Sequence, residues 1–149
     1  MGIATTINDQ IKQAMLAKDK VKLSALRDVK SKILLEATSG AGNEVSDEVA
    51  IKICMKLHKQ RMETYEIYIT QGRPELAEEE LLQAQVIEAF LPKQLTEAEI
   101  DLEISAAIQS VGASGPQDMG KVMGILSAKL AGKADGKVIS SRVKEALNS

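Results

Sequence analysis

The sequence predicts an all-α protein, an N-terminal four-helix bundle followed by a C-terminal three-helix bundle. Three observations predict it. Apolar residues recur at helical spacing almost throughout, and no segment combines period-two alternation with the β-branched enrichment of a strand. Ser, Thr, Asp, Pro and Gly stand where helices of that period would start and stop.

The elements follow in order. Ile3, Ile7, Ile11 and Met15, with Ala14, mark a first helix that ends before Asp19. Asp19 is the N-cap of a second, carrying Leu23, Leu26, Val29 and Ile33 and ended by the Gly40–Gly42 loop. A long third helix starts after Ser46, carries Ala50, Ile53, Leu57, Thr64 and Tyr68, and stops at Gly72. Pro74 opens the fourth at a position where its missing N–H costs nothing; Ala77, Leu81, Ala84 and Ile87 follow, and Leu91-Pro92 closes it. Pro92-Lys93-Gln94-Leu95 is the boundary, because Pro92 disfavours helix at Leu91 and Thr96-Glu97-Ala98-Glu99 then spells a capping box. The domains expected are residues 1–92 and 96–149. In the second, Ile100, Ile104, Ala107, Ile108 and Val111 mark a fifth helix ended by Gly112. Pro116 opens a sixth with Met119, Val122, Met123, Leu126 and Leu130 on one stripe. The Gly132–Gly136 segment breaks it, and Asp135 caps a seventh with Ile139, Val143, Ala146 and Leu147.

Composition narrows the function. A net charge of −2 hides a segregated distribution: residues 1–61 carry eleven basic and seven acidic groups, 62–103 two and eleven, and 104–149 six and three. The two ends can therefore attract an anionic partner that the average would repel. With two Tyr, one Phe and no Trp, the chain lacks the stacking platforms of single-strand binders. The single cysteine, Cys54, cannot form an internal disulfide or a multi-cysteine zinc site. No long apolar run suggests a leader or a membrane span, so a cytoplasmic protein is expected, away from membranes.

Gly115-Pro116-Gln117-Asp118-Met119-Gly120-Lys121 has the spacing of a phosphate-binding loop, but Val122 replaces the hydroxyl residue and no strand precedes it. A loop glycine followed by a proline-initiated helix is the simpler reading. On that helix Gly120 and Gly124 lie about 100° and 140° from Met119, and Lys121 about 200°, at 100° per residue. Glycine within a helix costs about 0.8–1.0 kcal/mol relative to alanine, so two of them need a reason. Another helix could pack closely there, which the residues alone favour, or a phosphodiester backbone could approach with Lys121 as its charge partner. Lys129, Lys133, Lys137, Arg142 and Lys144 continue the basic character, and Lys133 and Lys137 bracket a glycine-containing helix start.

Catalytic candidates are weak. Cys54 and His58 share a helical face but have no orienting group or oxyanion site in sequence, so no catalytic residue, metal ligand or cofactor is assigned. Arg61 and Glu88 interrupt apolar stripes on the third and fourth helices. An ion pair between them is the economical expectation, since an unpaired charge there would cost several kcal/mol.

Several motifs together resemble the YqeY family, stand-alone relatives of the GatB tail region. They are Lys18-Asp19-Lys20 within the Ile7–Leu26 stretch, Lys59-Gln60-Arg61, Gly72-Arg73, Leu91-Pro92-Lys93-Gln94-Leu95, Asp118-Met119-Gly120-Lys121-Val122-Met123-Gly124, and Gly132-Lys133-Ala134-Asp135-Gly136-Lys137. The resemblance implies the four-plus-three helical arrangement and a link to the glutamine-dependent tRNA amidotransferase, a carbon–nitrogen ligase with glutamine as amido donor. Its helical tail engages tRNA, and this chain resembles only the helical and tail parts. The resemblance shifts the reading of the glycine strip toward RNA. The chain is then expected to be a tRNA-binding accessory that contacts RNA through Gly120, Lys121, Gly124, Lys129, Gly132, Lys133, Gly136 and Lys137. Amidotransferase or aminoacyl-tRNA synthetase components are possible protein partners. The alternative is a helical protein–protein adaptor that binds no RNA.

Overall fold

The structure is a computed structural model and describes residues 2–39 and 44–148. Among the described residues it is all-helical: α1 (Ile3–Ala17), α2 (Lys20–Ser39), α3 (Asp47–Thr70), α4 (Pro74–Glu88), α5 (Glu97–Val111), a 3-10 turn (Pro116–Asp118), α6 (Met119–Lys129) and α7 (Gly136–Asn148). The chain divides after Leu91 into two compact units. The Gly40 and Gly42 loop expected to end α2 lies outside the described residues.

In the first unit the ends of the helices are set by local chemistry. Lys18 turns into the left-handed region at φ 56°, so that Asp19 N–H reaches Ala14 O at 3.0 Å. A side chain in that conformation costs roughly 1–2 kcal/mol. Asp19 then caps α2, its carboxylate accepting from Lys22 N–H at 3.1 Å. Ser46 Oγ accepts from Val49 N–H at 3.3 Å to start α3, with Asp47 and Glu48 favourably placed in its first turn. Asp47 also accepts from Ile3 N–H at 3.0 Å, tying the start of α1 to α3. Gly72, at φ 69°, makes the turn into α4, which Pro74 opens.

The core of this unit is built on Ile7, Val29, Leu57 and Ile87, with Ala25, Ala50 and Cys54 letting the helices approach. Full burial of each large apolar side chain contributes roughly 1.5–3 kcal/mol. Met15, expected on the α1 stripe, is 54% exposed instead, one residue beyond the buried Ala14.

The expected Arg61–Glu88 pair is corrected by the packing. Arg61 Nη2 lies 2.6 Å from Asp28 Oδ2 on α2, its Nε donates to Gln83 Oε1 at 3.1 Å, and Nη1 donates to Leu57 O at 3.4 Å. Glu88 closes α4 half in solvent, its Oε2 3.9 Å from His58 Nε2. The pairs Arg61–Gln83 and His58–Glu88 run in opposite chain directions, so α3 and α4 are antiparallel in a register that sets Glu88 about a turn away from Arg61. The guanidinium is nonetheless satisfied, as a half-buried charge must be.

In the second unit Thr96 and Glu99 form the expected capping box: Glu99 N–H donates to Thr96 Oγ1 at 3.2 Å and Thr96 N–H to Glu99 Oε1 at 3.0 Å. Hydrogen bonding from the Thr96 backbone and side chain holds the Glu99 carboxyl below the usual range, with the charge of Lys93 adding to the effect. Gly112 at φ 64° closes α5, and Gly132 at φ 77° follows α6. Ile100, Ile104, Val122, Leu126, Ile139 and Val143 meet in one core. Arg142 of α7 clasps Asp101 of α5 through two hydrogen bonds of 2.6 Å and lies 3.6 Å from Glu97.

Candidate functional site

The residues singled out in sequence fall on three places in the second unit. Gly120, Lys121 and Gly124 lie within α6, Lys129 at its last turn, and Gly132, Lys133, Gly136 and Lys137 in the turn into α7 and its first residues. The 3-10 turn packs against both α6 and α7.

Gly120 and Gly124 are exposed, and a Cβ built at either meets nothing within 4 Å among the described residues. No helix of this unit therefore uses the space they leave, which removes internal packing as their reason. Ser127 and Ala128 are also exposed and prolong this face of small residues beyond Gly124. Pro116–Asp118 is a 3-10 turn and no strand precedes it among the described residues, so Gly115–Lys121 lacks the strand-to-helix cradle of a phosphate-binding loop.

The lysines divide into two kinds. Lys121, Lys133, Lys137 and Lys144 are exposed and make no ion pair among the described residues. Lys129 is committed: its Nζ lies 2.7 Å from Glu103 Oε2. That oxygen is buried, and the Lys129 ammonium is the charge that meets it. Arg142 is committed to Asp101. The start of α7 is less open to an anion than its sequence suggests, because Asp135 Oδ1 already accepts from Lys137 N–H at 3.0 Å. What remains there is the side-chain charge of Lys133 and Lys137.

One part of this region was not legible in sequence. Gln94 Nε2 donates to Pro92 O at 2.9 Å and to Gly132 O at 2.7 Å, while Leu95 N–H donates to Lys133 O at 2.9 Å. The segment read as a boundary thus braces the glycine turn. Nothing local signals it, since the partners are 38 residues apart.

The first unit offers less chemistry. Cys54 is wholly buried, and burial pushes its thiol up to about 11, so it is neither ionised near neutrality nor within reach of a substrate. An open groove of about 520 Å³ is lined by Gln10, Asp19, Val21, Lys22, Leu82, Gln85, Val86 and Ala89. Its one carboxylate, Asp19, is occupied in capping α2. Among the described residues no group of three His, Cys, Asp or Glu side chains could hold a metal ion, and no helix is long and apolar enough to cross a membrane.

An all-helical chain with a bare helix face and unpaired lysines at a glycine turn is the class that fold and site define. Its family is established by comparison: the YqeY family model, described as "Yqey-like protein", matches residues 4–147, and the chain belongs to that family. It is also similar to two proteins named "Altered inheritance of mitochondria protein 41, mitochondrial". That of Lachancea thermotolerans is 26% identical over 112 residues, covering 74% of this chain and 60% of the relative. That of Kluyveromyces lactis is 26% identical over 146 residues, covering 96% of this chain and 74% of the relative. Both names point to mitochondria, which overturns the expected cytoplasmic location. The lack of a long apolar run, on which that expectation rested, bears on membrane spans and does not identify a compartment.

Proposed function

We propose that this protein is a tRNA-binding accessory whose second unit, a three-helix bundle in this reading, holds the phosphate backbone of a folded tRNA. The observation that carries the proposal is the empty space over Gly120 and Gly124. Two helical glycines each cost about 0.8–1.0 kcal/mol relative to alanine, and no packing among the described residues offsets them. A ligand that approaches the helix backbone from outside does. Lys121 beside the strip, with Lys133 and Lys137 at the following turn, supplies the positive charge such a ligand would need. Three aromatics in the whole chain fit recognition by charge and shape rather than by base stacking. The link to glutamine-dependent amidotransferase, and to its components or aminoacyl-tRNA synthetases as protein partners, is part of the same proposal and rests on family resemblance. No catalytic residue is assigned to this chain.

The test is binding of bulk tRNA to the full chain as a function of salt. Replacing Lys121, Lys133 and Lys137 together with Ala is expected to weaken binding and to lower the slope of log K against log salt by about three, one per phosphate contact. Absence of tRNA binding by the unaltered chain at low salt would refute the proposal and leave the adaptor reading.

A further inference from the structure

Lys93 lies outside every basic cluster of the sequence, yet the fold carries it to the glycine turn. Pro92 and Gln94 flank it directly. The Gln94 amide uses both of its N–H groups, one to Pro92 O at 2.9 Å and one to Gly132 O at 2.7 Å. Leu95 N–H then bonds to Lys133 O at 2.9 Å, while Lys133 N–H is held by Leu130 O at 2.9 Å. The 92–95 segment and the 132–133 turn are thereby joined by two hydrogen bonds at the residues directly after Lys93, while the Gln94 bond to Pro92 O folds the segment back across the Lys93 position. Lys93 itself is exposed and makes no ion pair among the described residues. The nearby Glu99 carboxylate feels the charge of Lys93 without forming an ion pair with it and is held in the capping box, while Asp135 accepts from Lys137 N–H.

We propose that Lys93 is a further phosphate-contacting residue of the RNA-binding face, and that Gln94 is the positioning residue that fixes it and the Gly132–Lys133 turn relative to each other. This rests on the reading of the second unit as a tRNA-binding surface. It adds a contact that the basic clusters of the sequence do not contain, and it gives the Leu91–Leu95 motif a role in binding.

The experiment again uses the full chain and bulk tRNA over a range of salt. Lys93→Ala is expected to lower the slope of log K against log salt by about one and to reduce affinity by up to about tenfold near 0.1 M salt. Lys93→Arg is expected to restore the slope. Gln94→Met keeps the length of the side chain and removes both donors. It is expected to weaken binding, and adding Lys93→Ala to it should lower the slope by clearly less than it does in the unaltered chain, a non-additivity that a merely stabilising Gln94 would not produce. The Lys93 result stands whether or not Gln94→Met folds, because Lys93 is exposed. An unchanged slope in Lys93→Ala, with a lowered slope in the Lys121/Lys133/Lys137 variant, would overturn this inference and leave the tRNA reading intact. Failure of the unaltered chain to bind tRNA would overturn both.

Discussion

Arg61 Nη2 and Asp28 Oδ2 stand 2.6 Å apart, joining α3 to α2 at a site where the arginine side chain is only 13% exposed. The same guanidinium reaches Gln83 on α4, so one side chain fastens three helices. Asp28→Ala is expected to destabilise the first unit by about 1.5–3 kcal/mol, the usual range for a hydrogen bond to a charged group. Glu88→Ala, on a residue half in solvent, should cost less than about 0.5 kcal/mol. Denaturant midpoints of the two variants check this, and equal losses would contradict the observed pairing.

Gly120→Ala and Gly124→Ala should separate stability from binding. Neither glycine has a positive φ and neither would bring its new methyl against anything described. Each substitution is expected to stabilise the second unit by about 0.8–1.0 kcal/mol. In the proposed complex the same methyls would hold the RNA backbone away from the helix, so tRNA affinity should fall. Thermal midpoint and tRNA titration on the same samples measure the two directions, and unchanged affinity in the double variant would count against close approach at this strip.

Cys54 is expected to resist thiol reagents until the first unit unfolds. Its folded pKa is raised by burial from 9.0 to about 11, so the folded state keeps its proton where the unfolded state has lost it. The linkage sign follows: the contribution to stability is complete below pH 9 and declines as pH rises from 9 toward 11. Unfolding curves of the unaltered chain and of Cys54→Ala over that range should converge as pH rises.

Asp101 behaves in the opposite sense. Its hydrogen bonds to Arg142, reinforced by the charge of that residue, hold its carboxyl below the usual range. The pair therefore supports the second unit above the ordinary carboxylate pKa and releases it as pH falls through the lowered value. Arg142→Met should flatten the acid limb of stability against pH. An unchanged limb would show that this exposed clasp contributes nothing measurable.

The contrast between what periodicity foretold and what it missed has a physical origin. Helix ends were legible because their causes are local: Asp19, Ser46, Thr96 with Glu99, Gly72, Gly112 and Asp135 act on amides or turns within a few residues. The buried stripes were legible for the same reason. The partner of Arg61 was not, because the choice among Asp28, Gln83 and Glu88 depends on how α2 and α4 each settle in register against α3. The bridge from Gln94 to Gly132 was likewise invisible, as was the withdrawal of Lys129 by Glu103. At the candidate site the glycines and lysines could be named in advance. Which of them are vacant and which engaged could be read only from the folded chain.

The turn at Lys18 also bears on the order of assembly. Two residues, Lys18 and Asp19, separate α1 from α2, and three, Gln71 to Arg73, separate α3 from α4. Both connections close short loops, so each helical hairpin can form at small entropic cost before distant segments meet. The Arg61 bond to Gln83 lies within the second hairpin, whereas its bond to Asp28 joins one hairpin to the other and belongs to the later stage of folding. Losing Asp28 should accordingly speed unfolding more than it slows refolding, which makes that ion pair a latch on the lifetime of the native state.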